Sequence, residues 1–329
     1  MKIVSRIFRS AIAGPLLALV IAVGIVSLTT DRFFTLGNLI NVTLQVSTVA
    51  IAAIGSTLVI LTGGIDLSPG SAVALVSCVF AILVQRMGFS LPAGIIAALF
   101  LGIAMGLFNG FLSTYGRIPS FVVTLATLGI FRGLAFLVTE GRPIFSVSPN
   151  LDAIFYGQLI GIPLPLIYVL IFYAISAVFL RNTRLGRAIY SVGGNETAAH
   201  LSGIHVNRTR LMAFILAGFT ASVTGLLLSA RLNSGSPNYG SGLELAAIAA
   251  AVIGGSSLTG GYGNIIATLC GALTVAVVQN GLNLNAVPSA WQNITLGFII
   301  LLAVGLDMWR GDMGKGVSRI FTFRPKSNE

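Results

Sequence analysis

Residues 181–210, RNTRLGRAIYSVGGNETAAHLSGIHVNRTR, interrupt an otherwise apolar chain, and their reading sets the topology. The stretch holds Arg181, Arg184, Arg187, Arg208 and Arg210 together with His200 and His205. On either side lie apolar runs of about 18 residues or more, long enough to cross a bilayer as helices. Lys2, Arg6 and Arg9 precede the first run, and Arg310, Lys315, Arg319, Arg324 and Lys326 follow the last. Basic residues gather on the cytoplasmic side of membrane proteins. The pattern therefore predicts an all-α polytopic membrane protein with both termini and the 181–210 loop in the cytoplasm.

Composition agrees. Of 329 residues, 55% are hydrophobic and 9% charged, with a mean hydropathy of +0.95, against roughly 25% charge in soluble domains. About ten spans are expected, near 11–29, 42–62, 71–86, 91–114, 118–138, 160–180, 210–230, 243–258, 264–282 and 293–308. Six precede the basic loop and four follow it, so both counts are even, as a shared cytoplasmic side requires. The third and eighth are short. Residues 1–10 read as an N-tail, 11–308 as the transmembrane domain and 309–329 as a C-tail, with 140–152 extracytoplasmic. The N-terminus imitates a secretory signal, but its apolar run is long and many spans follow, so an uncleaved first span is expected. The formal charge of +10 follows from topology and implies no nucleic acid. Cys78 and Cys270 suggest neither a disulfide nor a metal site.

Chemistry within the chain is sparse. His200 and His205 are five apart in a loop, a poor spacing for a metal pair. No phosphate loop of the form G-x-x-x-x-G-K-[ST] occurs, so any ATP is bound and hydrolysed by another chain. Gly63–Gly70 (GGIDLSPG) and Gly254–Gly261 (GGSSLTGG) agree at four of eight positions. Paired glycine-interrupted segments point to a transport pathway and to a possible internal repeat. Asp66 and Ser68 in the first segment, and Glu244 at the start of the eighth span, are pathway or gating candidates. The alternative is helix capping, with Pro69 at an early helical position. Asn280, in the ninth span, is a further pathway candidate. Arg132 either snorkels or pairs with a carboxylate, and Gly102, Gly106 and Gly110 form a packing face. Within the basic loop, Gly193 and Gly194 suggest a turn. Thr197–Ile204 suggests a short helix capped by Asn195 and stopped by Gly203, either for docking on a partner or as a solvated loop.

Three stretches then stand together: LTGGIDLSPGS (61–71), TRLGRAIYSVGGNETAAHLSGI (183–204) and GLELAAIAAAVIGGSSLTGGYG (242–263). They resemble the permease subunits of ATP-binding-cassette importers for monosaccharides of the ribose, xylose and galactose type. The resemblance runs from about Phe33 to Asp307. It implies a second permease copy (identical or a paralogue), a cytoplasmic ATPase carrying two cassettes with its ATP and Mg, an extracytoplasmic sugar-binding protein, and a place in the bacterial inner membrane. It also implies that Arg184, Gly186, Arg187, Gly193, Gly194, Asn195, Glu196, Ala198, Leu201, Gly203 and Ile204 form the segment that couples to the ATPase. The chain departs from the family at Ala246, where a carboxylate is usual, and at Pro69, where Val is usual. An ion-coupled secondary transporter is the rival reading, disfavoured because the acidic residues lie mostly at ends or in loops.

Overall fold

A computed structural model describes residues 12–321, with side chains to Gly305. The predicted N-tail (1–10) and residues 322–329 of the predicted C-tail lie outside the described residues. The architecture is helical: α1 (Ala13–Thr29), α2 (Leu36–Leu61), α3 (Pro69–Ala81, continued by a π turn to Arg86), α4 (Leu91–Thr114), α5 (Ser120–Thr139), α6 (Leu151–Phe155), α7 (Leu164–Asn182), α8 (Arg184–Gly194), α9 (Glu196–Leu201), α10 (Val206–Leu232), α11 (Leu243–Ile253), α12 (Ile265–Leu284) and α13 (Ser289–Phe321). Four two-residue strands complete it. β1 (Ile144–Phe145) pairs antiparallel with β4 (Ser234–Gly235), and β2 (Gln158–Leu159) with β3 (Ile162–Pro163) as a hairpin.

Seven of these helices are long and apolar enough to cross a membrane, and three apolar ones are shorter: Ala13–Thr29, Leu243–Ile253 and Ser289–Gly305. Each predicted span overlaps one of the ten. Prolines sit in the first turns of α3, α4 and α7, where the missing N–H costs nothing. The sixth span begins at Leu164, after the hairpin, rather than at 160. α2 is the axis of the bundle, 89% of its apolar window being buried, whereas α7 on the outside is 22% buried. α10, α11, α12 and α7 surround α2. Gly102 and Gly106 of α4 lie against Gly218 and Phe214 of α10, so closely that neither position has room for a Cβ.

Two crossings depart from a continuous helix. α11 has 11 residues, about 16 Å of helix against a hydrocarbon core of about 30 Å. The expected eighth span at 243–258 is thus a half-helix, because Gly254 and Gly255 end it. Its other half is a non-helical segment, 233–242, a short strand followed by turns, that runs beside α3. Gly235 sits against Ser77 and Ala81, and Gly240 against Gly70. Non-helical backbone at such depth survives only inside protein, and Ser234–Pro237 are all buried. Arg132 of α5 donates to the carbonyls of Pro237 and Tyr239, the latter at 2.7 Å. It therefore satisfies buried backbone groups of this segment. Residues 62–68 mirror the arrangement, returning from the end of α2 into the bundle before α3 begins. The first turn of α3 and the approach to α11 cross inside the protein, Gly70 against Gly240.

Candidate functional site: a glycine junction and a polar cavity

The basic loop is mostly helix. Thr183 caps α8 by accepting the Gly186 N–H at 3.0 Å, and Gly186, Ile189 and Val192 turn inward. The expected turn at Gly193–Gly194 is instead the last turn of this helix. The apolar spacing of Ile189 and Val192 behind the Thr183 cap was the available signal. α9 follows at once. Asn195 caps it, its Oδ1 accepting the Ala198 N–H at 2.9 Å. Gly203 ends it at φ +80°, while the Ile204 N–H reaches back to the Ala199 carbonyl. This left-handed stop suits glycine. Val192, Ala199 and Val206, with Ile204 beside them, form a small core joining α8, α9 and the start of α10. Glu196 and Arg210 make a two-pronged ion pair at 2.7 and 3.1 Å. The rest of α9 faces outward: Ala199 alone of its residues is buried, and Leu201 is 81% exposed. Arg184 and Arg187 are exposed on α8.

α8 ends on the bundle at a junction of three glycine pairs. Gly193 lies against the Leu61 carbonyl and the Gly261 N–H, Gly261 against Gly194, and Gly260 against Gly63. The Gly261 N–H donates to the Leu61 carbonyl at 3.0 Å. Gly260 and Gly261 have φ of +88° and +73°. The Tyr190 hydroxyl donates to the Gly263 carbonyl at 3.1 Å, and burial raises the pKa of that phenol. The two look-alike connections, 63–70 and 254–261, thus meet each other and the end of α8 at one point. Beside them a cavity of about 560 Å³ is bordered by Gly63, Gly64, Arg117, Ser120, Glu196 and Arg210.

The pathway candidates separate in space. Asp66 is buried, and its Oδ1 accepts the Ser68 N–H at 2.9 Å and the Ser68 hydroxyl at 2.7 Å. Asn109 donates to the Ser68 oxygen at 2.8 Å. This geometry is that of a turn locking the entry to α3, whose first residue is Pro69. Glu244 lies at the start of α11 with its Oε2 buried against Gly70 and, among the described residues, without a hydrogen-bond partner. Arg132 is within electrostatic range of it. Asn280 exchanges two amide hydrogen bonds with Asn38 of α2, at 2.9 and 3.0 Å.

Sequence reasoning missed a second cavity, of about 350 Å³, in the half of the bundle opposite the basic loop. Gln45 and Thr48 of α2, Arg231 of α10, Gln279 and Asn283 of α12 and Asn293 of α13 supply its polar lining. Gly240–Leu243 and Ala246 form its floor at the start of α11. The signal was present as polar residues inside apolar runs, Gln279 and Asn283 standing four apart on one helix face.

Comparison with known proteins identifies the class. The family described as branched-chain amino acid transport system / permease component matches residues 38–304. The ribose import permease protein of Escherichia coli K12 is 44% identical over 296 residues, covering 89% of this chain and 92% of that one. The Bacillus subtilis ribose import permease is 42% identical over the same shares. The xylose transport system permease of Haemophilus influenzae is 35% identical, covering 89% and 94%. The chain belongs to this permease family. It is a multi-pass bacterial inner-membrane protein of the ATP-binding-cassette importer type. No solved structure matches it. The junction at Leu61–Gly63, Gly193–Gly194 and Gly260–Gly261 lies inside the matched region, as do Ala246 and the polar cavity.

Proposed function

We propose that this chain is the membrane subunit through which a monosaccharide of the ribose class enters the cytoplasm by alternating access, driven by a separate ATPase. The observation that carries the coupling half of this reading is the glycine junction. α9 presents an outward face for docking, α8 joins it to the bundle, and the bundle meets α8 at the turn that leads into α3 and the turn that leaves α11. A displacement of α8–α9 therefore bears directly on the two broken crossings. Broken crossings whose helix N-termini lie inside the bundle are a recurring basis of substrate sites and gates in transporters.

In this reading the basic loop is cytoplasmic, ten crossings place both termini beside it, and the 140–163 region faces the sugar-binding protein. ATP and Mg belong to the two-cassette partner, and a second permease copy completes the channel. The conformational switch draws its free energy from cassette contacts that differ between the two states. The sugar assignment is supported by the identities to ribose and xylose permeases.

The test is reconstitution of the chain with its ATPase and binding protein in proteoliposomes. Deleting 194–203 should abolish ATP-dependent sugar uptake and the stimulation of ATPase activity while the protein still inserts. Wild-type uptake by the inserted deletion would refute the coupling role.

A further inference from the structure

We propose that the 350 Å³ cavity is a sugar-binding subsite built into the permease itself, holding one neutral monosaccharide ring by hydrogen bonds. This inference rests on the sugar-permease reading and adds to it. It assigns part of the recognition to this chain instead of leaving all of it to the partner that captures the sugar.

The chemistry of the lining selects the ligand class. Three helices contribute four amides, Gln45, Gln279, Asn283 and Asn293, and hydroxyls come from Thr48 and Ser241. Each amide carries donors and an acceptor, which matches sugar hydroxyls acting in both senses, although the Asn283 Oδ1 already accepts from Gln292 at 2.8 Å. Among the described residues, nothing hydrogen-bonds the side-chain amides of Gln45, Gln279 or Asn293. Polar side chains in a membrane domain face the protein interior or a watery cavity, so these amides are held toward the cavity with capacity to spare. Arg231 adds a fork of donors, and no carboxylate among the described residues lines the space, so none of them attracts a cation there. Volume sets the size. Ligand pockets span about 300–1,000 Å³, and this one lies near the lower bound, suited to one ring.

The position suits a transit site. The floor is the Gly240–Leu243 approach to α11 together with Ala246. Gly240 touches Gly70 at the crossing of the two broken segments, and α11 leads from the floor to the junction beneath α8. Motion at the junction is therefore transmitted to the floor of the cavity through 11 residues of one helix. Ala246 is 2% exposed and packed into that floor, so the small side chain there leaves volume that a carboxylate would occupy.

The test is saturation-transfer NMR with D-ribose and D-xylose on the permease–ATPase complex in nanodiscs, without binding protein. Transfer to sugar protons is expected above that seen with empty nanodiscs. Gln45→Leu and Gln279→Leu should each weaken binding by about three- to tenfold, the effect of removing one hydrogen bond to a hydroxyl. Gln279→Asn, which keeps the amide but withdraws it by one methylene, should fall between and guards against a folding failure. No transfer above empty nanodiscs, or equal transfer in all variants, overturns the subsite. Uptake of both sugars by the complete assembly is measured in parallel. Uptake without transfer overturns the subsite alone, whereas no uptake of either sugar overturns the sugar reading with it.

Discussion

Gly193→Ala places a methyl group where three chain segments converge. A Cβ there would stand 2.9 Å from the Leu61 carbonyl carbon and closer still to the Leu61 oxygen and the Gly261 nitrogen. These are backbone atoms of two different elements, so no rotamer change relieves the contact. Carbon atoms pack best at about 3.5–4.0 Å and the oxygen contact is the tighter one, so α8 must withdraw by roughly 1–1.5 Å from the end of α2. Overpacking of this kind costs about 1–3 kcal/mol. Loss of the 3.0 Å bond between Gly261 N–H and Leu61 carbonyl adds about 0.5–1.5 kcal/mol. Each 1.4 kcal/mol is a factor of ten in an equilibrium. A penalty of about 1.5–4.5 kcal/mol confined to the state with the junction closed therefore depopulates that state by about 10- to 2,000-fold. The assay is sugar uptake and ATPase activity in proteoliposomes, with monodispersity and thermal melting measured on the same preparations. The expected result is an inserted, monodisperse protein whose ATPase activity is no longer stimulated by loaded binding protein. Two comparisons sharpen it. Gly129→Ala lies on α5 with no atom near a Cβ and should be neutral. Tyr190→Phe removes the hydroxyl bond to Gly263 without adding volume and should give a milder uncoupling. Wild-type coupling in Gly193→Ala would refute the claim that force passes through this point.

Three further outcomes follow from polar contacts. Asn280→Leu should lower the melting temperature in detergent by stranding the Asn38 Oδ1, while the Asn38 nitrogen keeps its bond to the Phe33 carbonyl, at a cost of about 1–3 kcal/mol. Asn38→Leu combined with Asn280→Leu should recover part of the loss. Arg132→Leu leaves the carbonyls of Pro237 and Tyr239 without their donor. It should destabilise more than Arg132→Lys, which keeps the charge but not the planar fork; equal melting curves would contradict the assignment. Asn195→Ala removes the cap of α9 at about 1 kcal/mol, so hydrogen exchange should quicken at Ala198, and unchanged protection there would count against the cap.

The sequence was most legible where a single physical requirement dominates. Apolar runs of spanning length predict helices with little ambiguity, and each of the ten predicted spans overlaps an apolar helix. The α9 cap was equally readable, since Asn195 and Gly203 are local signals whose meaning needs no tertiary context. Legibility failed where tertiary packing overrides a local preference. Gly193 and Gly194 read as a turn because glycine weakens helices, yet α8 ends on them because the junction has no room for a side chain at Gly193. The half-helix α11 read as a short span, because composition cannot tell a buried half-crossing from a weak full one.

The same contrast explains why glycine turns were easier to find than the cavity. GGIDLSPG and GGSSLTGG are contiguous, so their likeness shows in a one-dimensional scan, and the structure adds that they touch. The cavity gathers Gln45, Arg231, Gln279 and Asn293 from four helices, and in each helix the polar residue looks like an isolated defect. What joins the defects is the break before α11. An unbroken helix from 233 to 253 would be about 32 Å long and would pack along α3, filling the space that the turn at Gly240–Gly242 leaves open. The positive φ of Gly240 and Gly242, +68° and +78°, therefore shapes the cavity as well as the crossing. An L side chain at either position is strained, so replacing Gly242 with Ala, which meets no neighbouring atom, should disturb the cavity floor through backbone strain alone. Weakened sugar uptake in Gly242→Ala with normal insertion is the expected result, and wild-type uptake would show that the break is set by something other than these glycines.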